Sequence, residues 1–178
     1  MNAYRQYAYV GPHAIRELLK QSTSRNAIRK PDDILAWISA TKPTFGQNNT
    51  IVVTFIVDMN QTLWIADQRS EHVVCAAGQD VLSAGEITFA IQDQHIEVTA
   101  IANQSTGYCP EPESWPIIEQ IFTQLGLSHP SNFTTEFIFR RCNSCRTINI
   151  VKDGWFECAV CQAPLSQKWN FDEGEAVR

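Results

Sequence analysis

Apolar positions in the first fifty residues recur at helical spacing between polar gaps. Pro12 suits the first turn of a helix, Ile15, Leu18 and Leu19 then mark one face, and Ser22-Thr23-Ser24 stops it. Arg25, Arg29 and Lys30 read as a short solvated basic loop. Pro31-Asp32-Asp33 opens a second helix, its acids at the positive end of the dipole, with Ile34, Leu35 and Ile38 as the buried stripe and Trp37 beside it. Lys42 to Asn49 is a loop.

From Thr50 the pattern becomes that of strands. Ile51 to Val57 is dense in β-branched and aromatic residues, as a buried strand requires. Asp58 to Gln61 turns the chain and Thr62 to Ala66 returns it. Three more strands are predicted at about Glu71–Ala77, Gly85–Ile91 and His95–Ala102. In the last, Ile96, Val98 and Ala100 alternate with Glu97 and Thr99, which gives one wet face. Short connections favour antiparallel neighbours, so the reading is a meander of about five strands. After Pro110-Glu111-Pro112, Ile117, Ile118, Ile121, Phe122 and Leu125 define a helix that should cover the sheet. Ser114 is its expected cap, Pro116 sits in its first turn and Gly126 ends it. Phe137-Ile138-Phe139 leads into a cysteine-bearing tail. The expected fold is α+β: an antiparallel β-meander covered by helices over residues 1–135, then a C-terminal zinc ribbon and tail over 136–178.

Composition changes this picture little, but charge does. A chain of 178 residues with 44% hydrophobic content can bury a sizeable core, and no run reaches the ~20 apolar residues of a membrane helix. Residues 1–43 carry seven Lys/Arg against three acids. Residues 44–135 carry ten acids against Arg69 alone, and residues 136–178 carry six of each. An acidic middle repels phosphate backbones, which argues against a general nucleic-acid surface and for a protein partner of neutral or basic surface.

Four of the six cysteines fall in two CxxC knuckles, Cys142–Cys145 and Cys158–Cys161, with twelve residues between them. Two residues between ligands let both sulfurs of a knuckle reach one tetrahedral ion, and thiolates suit zinc. The segment between reads as strand (Ile148–Val151), turn (Lys152-Asp153-Gly154) and strand (Trp155-Phe156), the build of a zinc ribbon. A redox dithiol and an iron–sulfur centre are the alternatives. Structural Zn2+ is preferred, since four thiolates leave no open position. Arg140, Arg141, Arg146 and Lys152 form a basic edge interrupted by Asp153 and Glu157, while Trp155, Trp169 and Phe171 should pack the ribbon on the main domain. With cysteines used for a metal and no signal-peptide pattern at Met1–Arg5, the expected location is cytoplasmic.

Polar side chains suited to chemistry crowd between His72 and Pro110. If the chain turns around Gly78-Gln79-Asp80, His72 faces Glu86 across a hairpin. Ser105 and Tyr108 follow the last strand and close the same end. These four make an acid–base set for an enzyme or small-ligand binder, or alternatively a surface His–Glu pair and a tyrosine capping the sheet. Cys75 and Cys109 read as buried small hydrophobes.

The run His72 to Gly78 with Ala84-Gly85, followed by Ser105, Tyr108 and Pro110, resembles the conserved domain of the plant IQ-motif calmodulin-binding (IQM) proteins. Those carry an H…AGG…AAG segment and then SGHY-x-P. With Tyr9-Val10-Gly11-Pro12 the likeness spans about residues 8–126 and stops before the ribbon. Glu86 stands where the plant proteins have a basic residue, Gly107 replaces the histidine of SGHY, and no I-Q-x-x-x-R-G run is present. The resemblance implies a signalling or interaction role without calmodulin binding. The expected function is therefore an interaction module stabilised by a zinc ribbon. A His72/Glu86/Ser105/Tyr108 enzyme or ligand pocket is the alternative, and nucleic-acid binding through the ribbon the third reading.

Overall fold

A computed structural model describes residues 4–20 and 24–171. Ser22, Thr23 and the side chain of Leu18, which the sequence uses to end and orient the first helix, lie outside the described residues. That helix is a single turn, α1 (His13–Arg16), continued by a 3₁₀ turn over Glu17–Lys20.

Five strands form one antiparallel sheet in the order β1-β3-β2-β4-β5. They are β1 (Asn26–Ile28), β2 (Thr50–Asp58), β3 (Leu63–Asp67), β4 (Val81–Gln92) and β5 (His95–Ala102). The hairpins β2–β3 and β4–β5 are those the apolar pattern predicts. Between them the chain forms a helical turn, α3 (His72–Cys75), on its way from β3 on one side of β2 to β4 on the other. The longer helices are α2 (Pro31–Thr41) and α4 (Trp115–Leu125), and the ribbon strands are β6 (Ile138–Arg141) and β7 (Ile148–Val151).

Side-chain alternation divides the core between the two sheet faces. Val53, Phe55 and Val57 of β2, Ile65 of β3 and Ile87 and Phe89 of β4 form one cluster with Ile34 and Trp37 of α2 and the Ile117–Phe122 stripe of α4. The other face sends Ile56, Ala66 and Ala84 into a smaller cluster with Val73 and Cys75 of α3, Tyr7 and Tyr108. α2 starts where expected because the Asp33 carboxylate accepts the main-chain N–H groups of Arg29 and Lys30, at 2.8 and 3.1 Å. α4 ends at Gly126, whose φ of 67° suits glycine.

Four expectations are corrected. Residues 72–75 are helical, not a strand. Val73-Val74-Cys75 is a short, wholly buried apolar run, and periodicity cannot tell a strand from a helical turn there. The segment 26–28 is a strand, not a loop, because β3 supplies its pairing partner. Arg25 is not solvated: its guanidinium lies 3.9 Å from the Trp64 ring centroid and donates to Cys75 O at 3.0 Å. Ser114 does not cap α4 with its side chain; its hydroxyl pairs with that of Ser83 at 2.9 Å, both buried.

Candidate metal centre and polar cluster

β6 and β7 pair antiparallel, with Phe139 opposite Ile150 and Arg141 opposite Ile148, and this two-stranded arm carries the first knuckle at its end. Both knuckles close in the same way. Cys142 N–H donates to Thr147 O and Arg146 N–H to Cys142 O, each at 2.9 Å. In the second knuckle Cys158 N–H donates to Ala163 O and Gln162 N–H to Cys158 O, again at 2.9 Å. The residue after the second cysteine is left-handed in each, Arg146 at φ 66° and Gln162 at φ 61°.

This doubled geometry points four thiols at one centre. The Sγ atoms of Cys142, Cys145, Cys158 and Cys161 all lie within 4.8 Å of one another. Cys142–Cys161 is 3.5 Å and Cys145–Cys158 3.6 Å. A disulfide needs ~2.04 Å. A tetrahedral ion with metal–sulfur distances of ~2.3 Å needs edges of ~3.8 Å, close to what is present. Main-chain N–H groups of Cys161 and then Val160 favour the thiolate at Cys158 and bring it down to about 6, and the Thr147 hydroxyl acts the same way on Cys145. Cys161 goes the other way, up to about 12: the Ala163 main-chain N–H favours its thiolate, but the crowding Cys142 thiol and burial together outweigh it. It is therefore the grouping of four sulfurs about one centre that fits the structural module the knuckle spacing predicts.

Asn149 holds the second knuckle against the first. Its buried amide accepts Ala159 N–H at 3.0 Å and donates to Thr147 O at 3.0 Å, with Cys158 Sγ 3.6 Å away. Nothing in its sequence neighbourhood marks this role.

Buried polar groups seat the ribbon on the sheet domain. Asn103 accepts Phe137 N–H at 2.7 Å and donates to the carbonyls of Phe137 and Pro110, each at 2.8 Å. Trp169 Nε1–H donates to Cys109 O at 2.8 Å. Arg140 forms a fork with Glu111 at 2.7 and 3.3 Å and also donates to Phe139 O and Gln167 O. Phe139 and Phe171 fill a cluster with Val10 and Cys109. Trp169 and Phe171 therefore pack as expected, but Trp155 does not: it is 70% exposed, because Lys152 and Trp155 close a tight turn whose tip projects from the arm.

The His72–Tyr108 stretch is arranged differently from the predicted hairpin. His72 Nε2 lies 3.0 Å from Gly85 O. A carbonyl only accepts, so Nε2 carries the proton and Nδ1 keeps the lone pair. Burial holds this imidazole below its ordinary value, although the Gly85 carbonyl acts in the opposite sense. Gly85 is required here, since a Cβ would meet Ala102 O at 1.9 Å. Glu86 is not His72's cross-strand partner; it sits between Thr54 and Ala102 in the sheet. Its side chain lines a groove of about 240 Å³ with Thr88, Gln104 and Thr134, and none of the other three candidates lines that groove.

Tyr108 is fully buried, donates to Gln79 O at 2.8 Å and meets Tyr9 edge-on, with burial pushing its phenol up. Ser105 is buried too. Its carbonyl accepts Cys109 N–H at 2.7 Å, but its hydroxyl finds no partner among the described residues. His72 and Tyr108 thus brace the two ends of the 79–85 segment. Cys75 and Cys109 are buried and free, and burial raises both thiols, Cys75 to about 12, so neither is prepared as a nucleophile.

No family model, curated protein or solved structure matches this chain. Among the described residues, no helix is long and apolar enough to cross a membrane.

Proposed function

We propose that this chain is a cytoplasmic protein-interaction module whose ribbon is held by structural zinc and presents the contact surface. One observation carries the reading. Among the described residues, the two most exposed large apolar side chains, Trp155 at 70% and Val160 at 66%, both project from the ribbon. An exposed tryptophan on a small metal-braced arm is the type of residue that anchors protein interfaces. Zinc is favoured over iron because it is the usual occupant of paired CxxC knuckles on a hairpin. Balanced charge on the ribbon segment and the acidic middle of the chain favour a protein of neutral or basic surface over nucleic acid. The free thiols fit a reducing compartment. The resemblance of residues 8–126 to the IQM domain agrees with a signalling or interaction role.

The test compares zinc-loaded wild-type protein with Trp155→Ser in quantitative affinity purification from its own host. Wild type should retain specific proteins that the variant loses, with unchanged melting temperatures. Recovery of nucleic acid in place of protein, or identical sets from both forms, contradicts the reading.

The orphaned Ser105 hydroxyl supports a second reading, a small-ligand site at Ser105 that does not include Glu86, which lines a separate groove. Under it, Ser105→Ala removes ligand binding without loss of stability. A more stable variant identifies the hydroxyl as a merely tolerated buried polar group.

A further inference from the structure

A cavity of about 500 Å³ opens where three parts of the chain meet: the N-terminal segment, the loop before α4, and the ribbon with its tail. We propose that it binds a small zwitterion, a free amino acid or dipeptide with an apolar side chain, and that docking of the ribbon assembles it. This goes beyond the interaction surface proposed above and does not depend on it.

Charge on the walls selects the ligand. Arg140 and Glu111 are both buried and neutralise one another, leaving Arg5 and Lys168 as cations and Glu113 as an anion, all three exposed. A simple anion entering here meets Glu113, and a simple cation meets Arg5 and Lys168. A ligand with one carboxylate and one ammonium finds a complement for each. Within the buried pair, the Nη donors of Arg140 are all used by the protein and its Nε–H is enclosed, so Arg5 and Lys168 are the groups that meet a ligand carboxylate. Glu111 accepts one bond from Arg140 at each carboxylate oxygen, which leaves lone pairs for an ammonium.

The remaining walls are apolar in character. Tyr4, Tyr7, Leu82 and Trp169 line the cavity, with Tyr7 edge-on to Trp169 at 5.7 Å between centroids. They fit an aliphatic or aromatic side chain, and the volume is in the range usual for small-molecule sites. Arg140, Gln167, Lys168 and Trp169 come from the ribbon and its tail, so one wall exists only while the ribbon is seated.

Two-dimensional amide NMR of the metal-loaded full chain, titrated with leucine, phenylalanine, tryptophan and Leu-Leu, tests this. At least one probe should shift the Lys168 amide and the Trp169 indole N–H. The N-acetylated and the C-amidated forms of that probe should each bind at least about tenfold more weakly. Glu113→Gln and Lys168→Ala, at exposed wall positions, should weaken binding similarly while leaving the melting temperature unchanged, and Cys145→Ser should abolish it. Absence of saturable shifts with all four probes overturns the proposal. So does equal binding of the blocked forms, which identifies a plain apolar cleft.

Discussion

The sheet domain and the ribbon are held together by different physics. The sheet is clamped between α2 and α4 on one face and α3 with Tyr7 and Tyr108 on the other, and buried apolar side chains account for its order. The ribbon's own buried cluster is Cys142, Val151, Cys158 and Leu165, with Ile138, Phe156 and Ala163 partly buried against it, and half of the buried members are knuckle cysteines. An arm with so little apolar burial cannot offset its conformational entropy, and under the proposed function a metal held by the four clustered cysteines does so. The lesson is one of division: one part of the chain folds by burial, the other gathers four cysteines fit for coordination, and polar bonds join them at the seam.

Removing the metal should break this contrast most visibly. Chelation, or Cys142→Ser, should unfold residues 142–165 while the sheet amides stay protected, since structural zinc contributes on the order of 10 kcal/mol to such a module. Hydrogen exchange resolves the two regions, and loss of protection in both at once contradicts the division. The seam should give the next largest effect. Glu111→Gln leaves buried Arg140 without its counter-charge and should destabilise the protein by about 3–5 kcal/mol in denaturant unfolding. A loss under about 1 kcal/mol would mean that the apolar contacts of Phe139 and Phe171 alone seat the ribbon.

Sequence pattern made much of this legible, for a physical reason. β2, β3, β5 and α4 show their periods in adjacent residues, and both knuckles are local loops whose spacing dictates their shape. What stayed hidden is set by distant partners. β1 is a strand because β3 lies beside it, Arg25 is half-buried because Trp64 and Cys75 receive it, and α3 coils although its β-branched residues favour a strand. In the candidate sites, the four clustered cysteines were readable and Asn149, Asn103 and the Arg140–Glu111 pair were not. Amides and ion pairs carry no periodic signal.

A smaller effect sharpens the sheet side of the comparison. Folded His72 titrates below its ordinary ~6.5, so the unfolded chain takes up its proton first as pH falls. Stability from this group is complete above ~6.5 and is lost below it, down through the lower folded value. His72→Gln keeps an N–H for Gly85 O and should flatten the fall in melting temperature between about pH 7.5 and 5.5. Superimposable wild-type and variant profiles would contradict it. The smallest effect belongs to the ribbon: Gln162→Gly should relieve its left-handed backbone and stabilise the second knuckle by about 0.5–1 kcal/mol, read as slower metal release to a chelator.

The division rests on what the four sulfurs hold. Elemental analysis of freshly reduced protein, purified without added metal, tests that most directly. One zinc per chain, lost together with hydrogen-exchange protection at the Arg146 and Gln162 amides, is the expected result. Iron in its place, or a metal-free protein whose ribbon amides remain protected, would contradict the account.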